Sequence, residues 1–117
     1  MKVYGLTLNL KDDPQVIEKY KHHHRHPWPE TVTGLLEVGI VDMKIFLLGR
    51  RMFMFLTATD GFDPAVDFPR YIAANPRAAE WDVLMRTFQE KVPEAGADEW
   101  WAAMELAFDL NWPQHLP

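Results

Sequence analysis

The 117-residue sequence contains neither cysteine nor serine. Without cysteine there is no disulfide, no thiolate nucleophile and no Cys-ligated metal. Without serine there is no Ser-His-Asp hydrolase triad. Basic runs are missing too. Twelve Lys and Arg against 17 Asp and Glu give a net charge of −5, and no Lys/Arg-rich stretch suits a phosphate backbone, so nucleic acid is not an expected partner. The six glycines form no GxGxxG or Walker-type loop. No apolar run approaches the roughly 20 residues needed to cross a bilayer. The opening Met1-Lys2-Val3-Tyr4-Gly5-Leu6 alternates too much for a secretory signal. These absences lead to the expectation of a cytoplasmic, cofactor-free protein with no membrane partner. Its chemistry must run on His, Asp, Glu, Tyr, Thr, Lys or Arg.

What is present is ordinary for a globular chain: 48% apolar and 25% charged residues. The length corresponds to one domain, residues 1–117, able to bury roughly two-thirds of its unfolded surface. Residues 3–10 alternate with period two and predict a strand. Asp13-Pro14 starts a helix running to about His24, with Asp13 as N-cap. Pro27-Trp28-Pro29 ends it, and a second helix over 30–38 stops at Gly39. Residues 40–47 and 52–59 read as a hairpin. A weaker helix over 64–74 contains Pro69 as an expected kink or break. Helical spacing resumes at 77–91. The alternation Met104, Leu106, Phe108, Leu110 predicts a last strand within 99–110, followed by an irregular tail.

The order β, αα, β, β, αα, β predicts an α+β fold of the ferredoxin-like split βαβ type. Its antiparallel four-stranded sheet would carry helices on one face. One strand complicates that picture. Met52, Met54 and Leu56 are apolar on one side, and Phe53 and Phe55 on the other. A second apolar face needs cover. The expectation is a homodimer packed sheet to sheet, with long loops and the Trp-bearing tail as the alternative cover.

Four of the five histidines fall within Tyr20-Lys21-His22-His23-His24-Arg25-His26. Tyr20 and His24 share a helix face at i, i+4, which would set an imidazole at the rim of the sheet for proton transfer. His22 and His26 have the same spacing, which suits a metal, but no third ligand or HExxH set accompanies them. The plainest reading is a set of solvated histidines favoured by the helix dipole. Trp28, held between prolines, suits either a wall for a sugar ring or a core plug. Trp81 reads as core, and Trp100-Trp101 require one ring to face away from the other. Met43 reads as a gap filler and Asp42 as a strand polar residue.

The run Tyr20-Lys21-His22-His23-His24 followed by Pro27-Trp28-Pro29-Glu30 resembles the Y-x-x-x-H…W-P-E signature of the L-rhamnose mutarotase family. Gly39 before the hairpin, Trp81-x-x-x-Met85 and Phe108-x-Leu110 fall in the same order, so the resemblance spans almost the whole chain. It implies a small dimeric ferredoxin-like isomerase that interconverts the α and β anomers of 6-deoxyhexoses without a cofactor or metal. It implies His24 as catalytic acid, and Tyr20, Trp28, Met43, Trp81 and Asp82 at the substrate. Rhamnose-type members carry Tyr at the Met43 position and Trp-Trp where this chain has Trp81-Asp82. Together with Asn75-Pro76-Arg77 and Glu80-Trp81-Asp82, these departures resemble the L-fucose branch. The partner of His24 in proton transfer is left open among water, Asp82 and Asp42. Two other classes are also open: a non-catalytic dimeric ligand-binding protein, and a metal protein built on His22, His24 and His26.

Overall fold

The computed structural model describes residues 1–112; the tail 113–117 lies outside them. In chain order the elements are β1 (Lys2–Leu10), α1 (Pro14–Arg25), α2 (Pro29–Glu37), β2 (Ile40–Leu48), β3 (Arg51–Ala58), α3 (Pro64–Ala74), α4 (Pro76–Phe88), β4 (Gln89–Glu90) and β5 (Ala102–Met104). All strand pairs are antiparallel, in the order β2-β3-β1-β4, and β5 also pairs with β1. This is the α+β, ferredoxin-like plan expected from the sequence. Its closing strand is the exception.

Three helices begin with one device. Asp13, Asp63 and Asn75 each precede a proline and accept a hydrogen bond from the N–H two residues on, at 2.9, 3.0 and 2.9 Å. The side chain satisfies one orphan donor, while the proline fits a position that needs no donor. Pro69 neither ends nor divides α3. Phe68, Tyr71 and Ile72 pack on the core around it and keep the segment helical despite the lost bond. α4 ends at Phe88, three residues before the expected end, because Gln89 and Glu90 pair with Leu10 and Asn9.

The predicted strand over 99–110 is only Ala102–Met104, set against Thr7 to Gly5. The alternation of Leu106, Phe108 and Leu110 is real, but these side chains are exposed and the segment pairs with no strand among the described residues. Alternation marks two-faced chain and does not supply a partner strand. Trp100 and Trp101 do not point apart into solvent and core: both are half-buried against the same core.

The helices cover the sheet face bearing Leu6, Leu8 and Leu10 of β1 and Met52, Met54, Leu56 and Ala58 of β3, all buried. The opposite face has no helix. There Phe46 of β2 stacks on Phe53 of β3, with centroids 6.2 Å apart, and stays 57% exposed. The Phe53 ring reaches over Gly5, where a Cβ would lie 3.1 Å from it.

β2 carries a bulge. Ile40 pairs with Ala58 and Asp42 with Thr57, so Val41 is an extra residue. Beyond it Met43, Ile45 and Leu47 share the helix-side face of the sheet with Met52, while Asp42, Lys44 and Phe46 face the other way.

Gly39 feeds the bulge at φ +104, and a Cβ there would meet Thr59 Oγ1 at 2.8 Å. Both backbone and packing oppose any side chain at this position. Gly39→Ala is expected to lower unfolding stability by about 1–3 kcal/mol in urea denaturation.

Candidate active site

α1 presents the histidine cluster in its last turn, where the helix dipole favours basic groups. The His26 N–H closes the helix on His22 O and His23 O at 3.2 and 3.3 Å, and Pro27 prevents continuation. Tyr20 and His24 lie one turn apart, as their spacing requires. Tyr20 is 4% exposed and stacks on His24 with centroids 4.2 Å apart and planes at 29°. Burial pushes the Tyr20 phenol up to about 12, so it stays protonated near neutrality. Gln89 Nε2 lies 3.5 Å from its hydroxyl, and Gln89 Oε1 accepts from Trp100 Nε1 at 2.8 Å.

His24 Nδ1 lies 3.0 Å from the carbonyl oxygen of Tyr20. A carbonyl only accepts, so Nδ1 carries the hydrogen and the neutral ring keeps its lone pair on Nε2. Tyr20 covers one side of the ring, and Trp81 meets it edge-on at 5.5 Å. The residue still has an exposed edge, and it lines the neighbouring cavity. Desolvation lowers the imidazole pKa below its ordinary 6.5; the bond to Tyr20 O opposes this and the charge of His23 adds to it.

The cavity measures about 430 Å³, within the range of small-molecule sites. One wall is α1: Tyr20, Lys21, His24 and Arg25. The other is the sheet: Met43, Ile45 and Leu47 of β2 with Met52 of β3. The first wall supplies donors and a proton acceptor, and the second is apolar.

Of the residues named from the sequence, Tyr20, His24 and Met43 meet in this cavity. Trp28 and Trp81 form a layer behind His24 and do not line it. Their centroids are 5.2 Å apart, and the Arg77 guanidinium covers Trp28 at 3.8 Å. Asp82 lies on α4, where its Oδ2 accepts from Arg86 Nε at 2.9 Å, and it does not line the cavity. Asp42 pairs with Lys44 on the far face of the sheet. Neither carboxylate is therefore placed to exchange protons with a ligand beside His24. His22 and His26 approach each other, with centroids 4.8 Å apart. Among the described residues no group of three or more His, Asp or Glu is placed to hold a metal ion. Lys21, Arg25, Ile45, Leu47 and Met52 were not singled out from the sequence. Lys21 stands at i−3 from His24, so helical spacing alone would have found it.

The model of the L-rhamnose mutarotase family matches residues 3–110. The chain belongs to the L-rhamnose mutarotase family. It is 36% identical over 107 residues to an L-fucose mutarotase of Xanthomonas campestris pv. campestris, covering 90% of this chain and 85% of that one. It is 46% identical over 114 residues to a UPF0734 protein of Dictyostelium discoideum, covering 95% and 91%. Among solved structures it shares its fold with the L-rhamnose mutarotase FA22100 of Formosa agariphila, at TM-score 0.67, 17% identity and 94% and 99% coverage. It shares it also with the tetracenomycin F2 cyclase of Streptomyces glaucescens, at TM-score 0.62, 15% identity and 97% and 100% coverage. The second likeness concerns architecture alone, since one fold serves several chemistries. As a member of a mutarotase family the chain is an isomerase of sugar anomers.

A histidine in this setting has a definite pH signature. Its folded pKa is depressed, so it adds nothing to the pH dependence of stability well above pH 6.5. Below 6.5 the unfolded chain binds the proton more readily, and stability falls until the folded pKa is passed. An NMR titration is expected to give a His24 midpoint below 6.5 with Nδ1–H as the neutral tautomer. A midpoint above 6.5, or an Nε2–H tautomer, would contradict the geometry.

Proposed function

We propose that residues 1–117 form one mutarotase domain that interconverts the α and β anomers of L-fucose, with His24 as its acid–base group. The observation that carries this is that His24, its Nδ1 engaged by Tyr20 O, lines a cavity whose other wall is apolar. Ring opening removes a proton from the anomeric hydroxyl O1 and places one on the ring oxygen. The resemblance gives His24 the role of acid at the ring oxygen; a neutral ring with its hydrogen on Nδ1 supports a different first step, in which Nε2 takes the O1 proton on opening. The imidazolium so formed is the acid that returns it on closure, on either face of C1. The lowered pKa keeps the ring neutral and ready to accept near pH 7. The wall of Met43, Ile45, Leu47 and Met52 gives a 6-deoxy sugar's methyl group and ring C–H groups an apolar surface.

The choice of L-fucose over L-rhamnose rests on Met43 and on the L-fucose mutarotase relative. A thioether at this position asks nothing of a sugar hydroxyl. A tyrosine there pairs with a particular one and rejects the sugar that leaves it unpaired. Asp82 has no part in this choice, because it is tied to Arg86 on α4. Trp28 and Trp81 act from behind, by holding His24.

The assembly we propose is a homodimer in which a second copy covers the helix-free face. Phe46, Phe53 and Met104 form an exposed apolar surface across β2, β3 and β5 there. Exposed clusters of this kind mark interaction sites in soluble proteins.

Two experiments test these readings. In anomer exchange of L-fucose followed by NMR, His24→Ala is expected to lose about 100- to 10,000-fold of the catalysed rate while keeping its melting temperature. Met43→Tyr is expected to raise the rate on L-rhamnose relative to L-fucose; an unmoved ratio in a folded variant would remove Met43 from substrate choice. In sedimentation, the native chain is expected to run as a dimer at micromolar concentration and Phe53→Asp as a monomer. A monomeric native chain would end the dimer reading.

A further inference from the structure

Gln89 is a buried amide, 5% exposed, outside the cavity and away from the reacting atoms. Its backbone is fixed in β4 opposite Leu10, where α4 ends and the sheet resumes. Its side chain stands between Trp100 and Tyr20. Trp100 Nε1 donates to Gln89 Oε1 at 2.8 Å. An indole N–H can only donate, so the oxygen end of the amide faces Trp100 and the NH2 end faces Tyr20. Gln89 Nε2 reaches the Tyr20 hydroxyl at 3.5 Å, and that oxygen accepts. Trp100 is held in turn, with the Arg86 guanidinium of α4 over its ring at 4.8 Å. The Tyr20 ring lies on His24 with centroids 4.2 Å apart, and the Tyr20 carbonyl engages His24 Nδ1. The contacts therefore run from Trp100 through Gln89 and Tyr20 to the imidazole that lines the cavity.

We infer that Gln89 is a positioning residue for His24, fixing the Tyr20 ring on which the imidazole is stacked; its consequence for catalysis rests on the mutarotase reading above. Phe88 meets the Tyr20 ring edge-on at 6.4 Å, but an apolar contact leaves a phenol free to tilt, and a hydrogen bond at its tip does not. A tilted phenol uncovers one face of the imidazole to water and moves Nε2 within the cavity. Displacement of a reacting group by about 1 Å can cost about 100-fold in rate. Gln89 touches no ligand, so this role holds whichever proton His24 handles. A neutral amide also suits the place. A carboxylate there would accept from both Trp100 and Tyr20, and its charge would favour the imidazolium. α4 presents Trp81 to the His24 ring and the sheet wall is apolar, so the charge near it comes from α1 itself: Lys21, His23 and Arg25.

The test compares the native chain with Gln89→Met, Trp100→Phe, Tyr20→Phe and the double variant Gln89→Met with Tyr20→Phe. Two quantities are read: the His24 midpoint in an NMR titration, and anomer exchange of L-fucose at pH 7. None of these substitutions changes a charge, so a moved midpoint reports how well Tyr20 covers the ring. Gln89→Met is expected to raise the midpoint from its depressed value toward 6.5. It is expected to lose about tenfold in kcat, with KM changed by less than about threefold. Trp100→Phe keeps Gln89 but frees its amide to turn, and is expected to move both quantities the same way; it carries the test if Gln89→Met does not fold. In the Tyr20→Phe background, Gln89→Met is expected to add nothing further, because the two side chains share one bond. A native midpoint and kcat in folded Gln89→Met or Trp100→Phe overturns the proposal. So do effects of Gln89→Met and Tyr20→Phe that add in full, which is the mark of a merely structural role. If the native chain speeds L-fucose exchange while the Gln89→Met midpoint stays put, the mutarotase reading survives and Gln89 alone is rejected. If the native chain leaves that exchange unchanged, the mutarotase reading falls, and the midpoints still decide whether Gln89 positions His24.

Discussion

Trp81 is the residue through which the end of α1 is fastened to α4. Its indole is 7% exposed in the first half of α4 and touches His23, His24 and Trp28 at 6.1, 5.5 and 5.2 Å. Arg77, one turn earlier on the same helix, closes the far side of Trp28. The end of α1 is thus fastened sideways onto α4, with Phe88 meeting Tyr20 and His23. A helix anchored to its neighbour has no need to press its whole length onto the sheet. The gap left between α1 and β2 is the cavity. Rigid aromatic packing behind the ring also fixes the imidazole without occupying any of the space a ligand would use.

The two walls divide the work by chemistry. Every polar side chain that lines the cavity comes from α1, where spacing of three and four residues brings Tyr20, Lys21, His24 and Arg25 to one side. Everything apolar comes from the sheet. Such a division leaves one side of the cavity apolar, and it spares the cavity a carboxylate that would need a partner of its own.

Local rules made much of this legible in the sequence. Asp13-Pro14, Asp63-Pro64 and Asn75-Pro76 mark three helix starts, and the caps they form are short-range events. The i, i+4 relation of Tyr20 and His24 is equally local. Non-local outcomes were not legible. The length of β5 depends on how much of β1's edge the chain after α4 can reach, and β4 takes part of that edge first. The placing of Trp28 and Trp81 behind His24 depends on which side of α1 meets α4, and periodicity in α4 cannot reveal that. Asp82 was expected at the substrate because it stands where rhamnose-type members carry the second Trp of a pair; here its carboxylate meets Arg86 on α4 and it is not among the residues lining the cavity. The bulge at Val41 leaves no mark in composition. It explains why Ile40–Leu47 shows no regular alternation while both of its ends lie on one face.

That bulge decides which side of β2 the cavity meets. One side-chain set, Met43, Ile45 and Leu47, faces the ligand space only because Val41 is counted out of the pairing. Taking Val41 into the ladder opposite Thr57, with no change of chain length, would shift every later residue by one and turn the strand over along its length. Asp42, Lys44 and Phe46 would then line the wall in place of a thioether and two aliphatic chains. Deleting Val41, by contrast, would heal the bulge and leave the lining as it is, so the oily character of this wall depends on the extra residue staying out of the ladder.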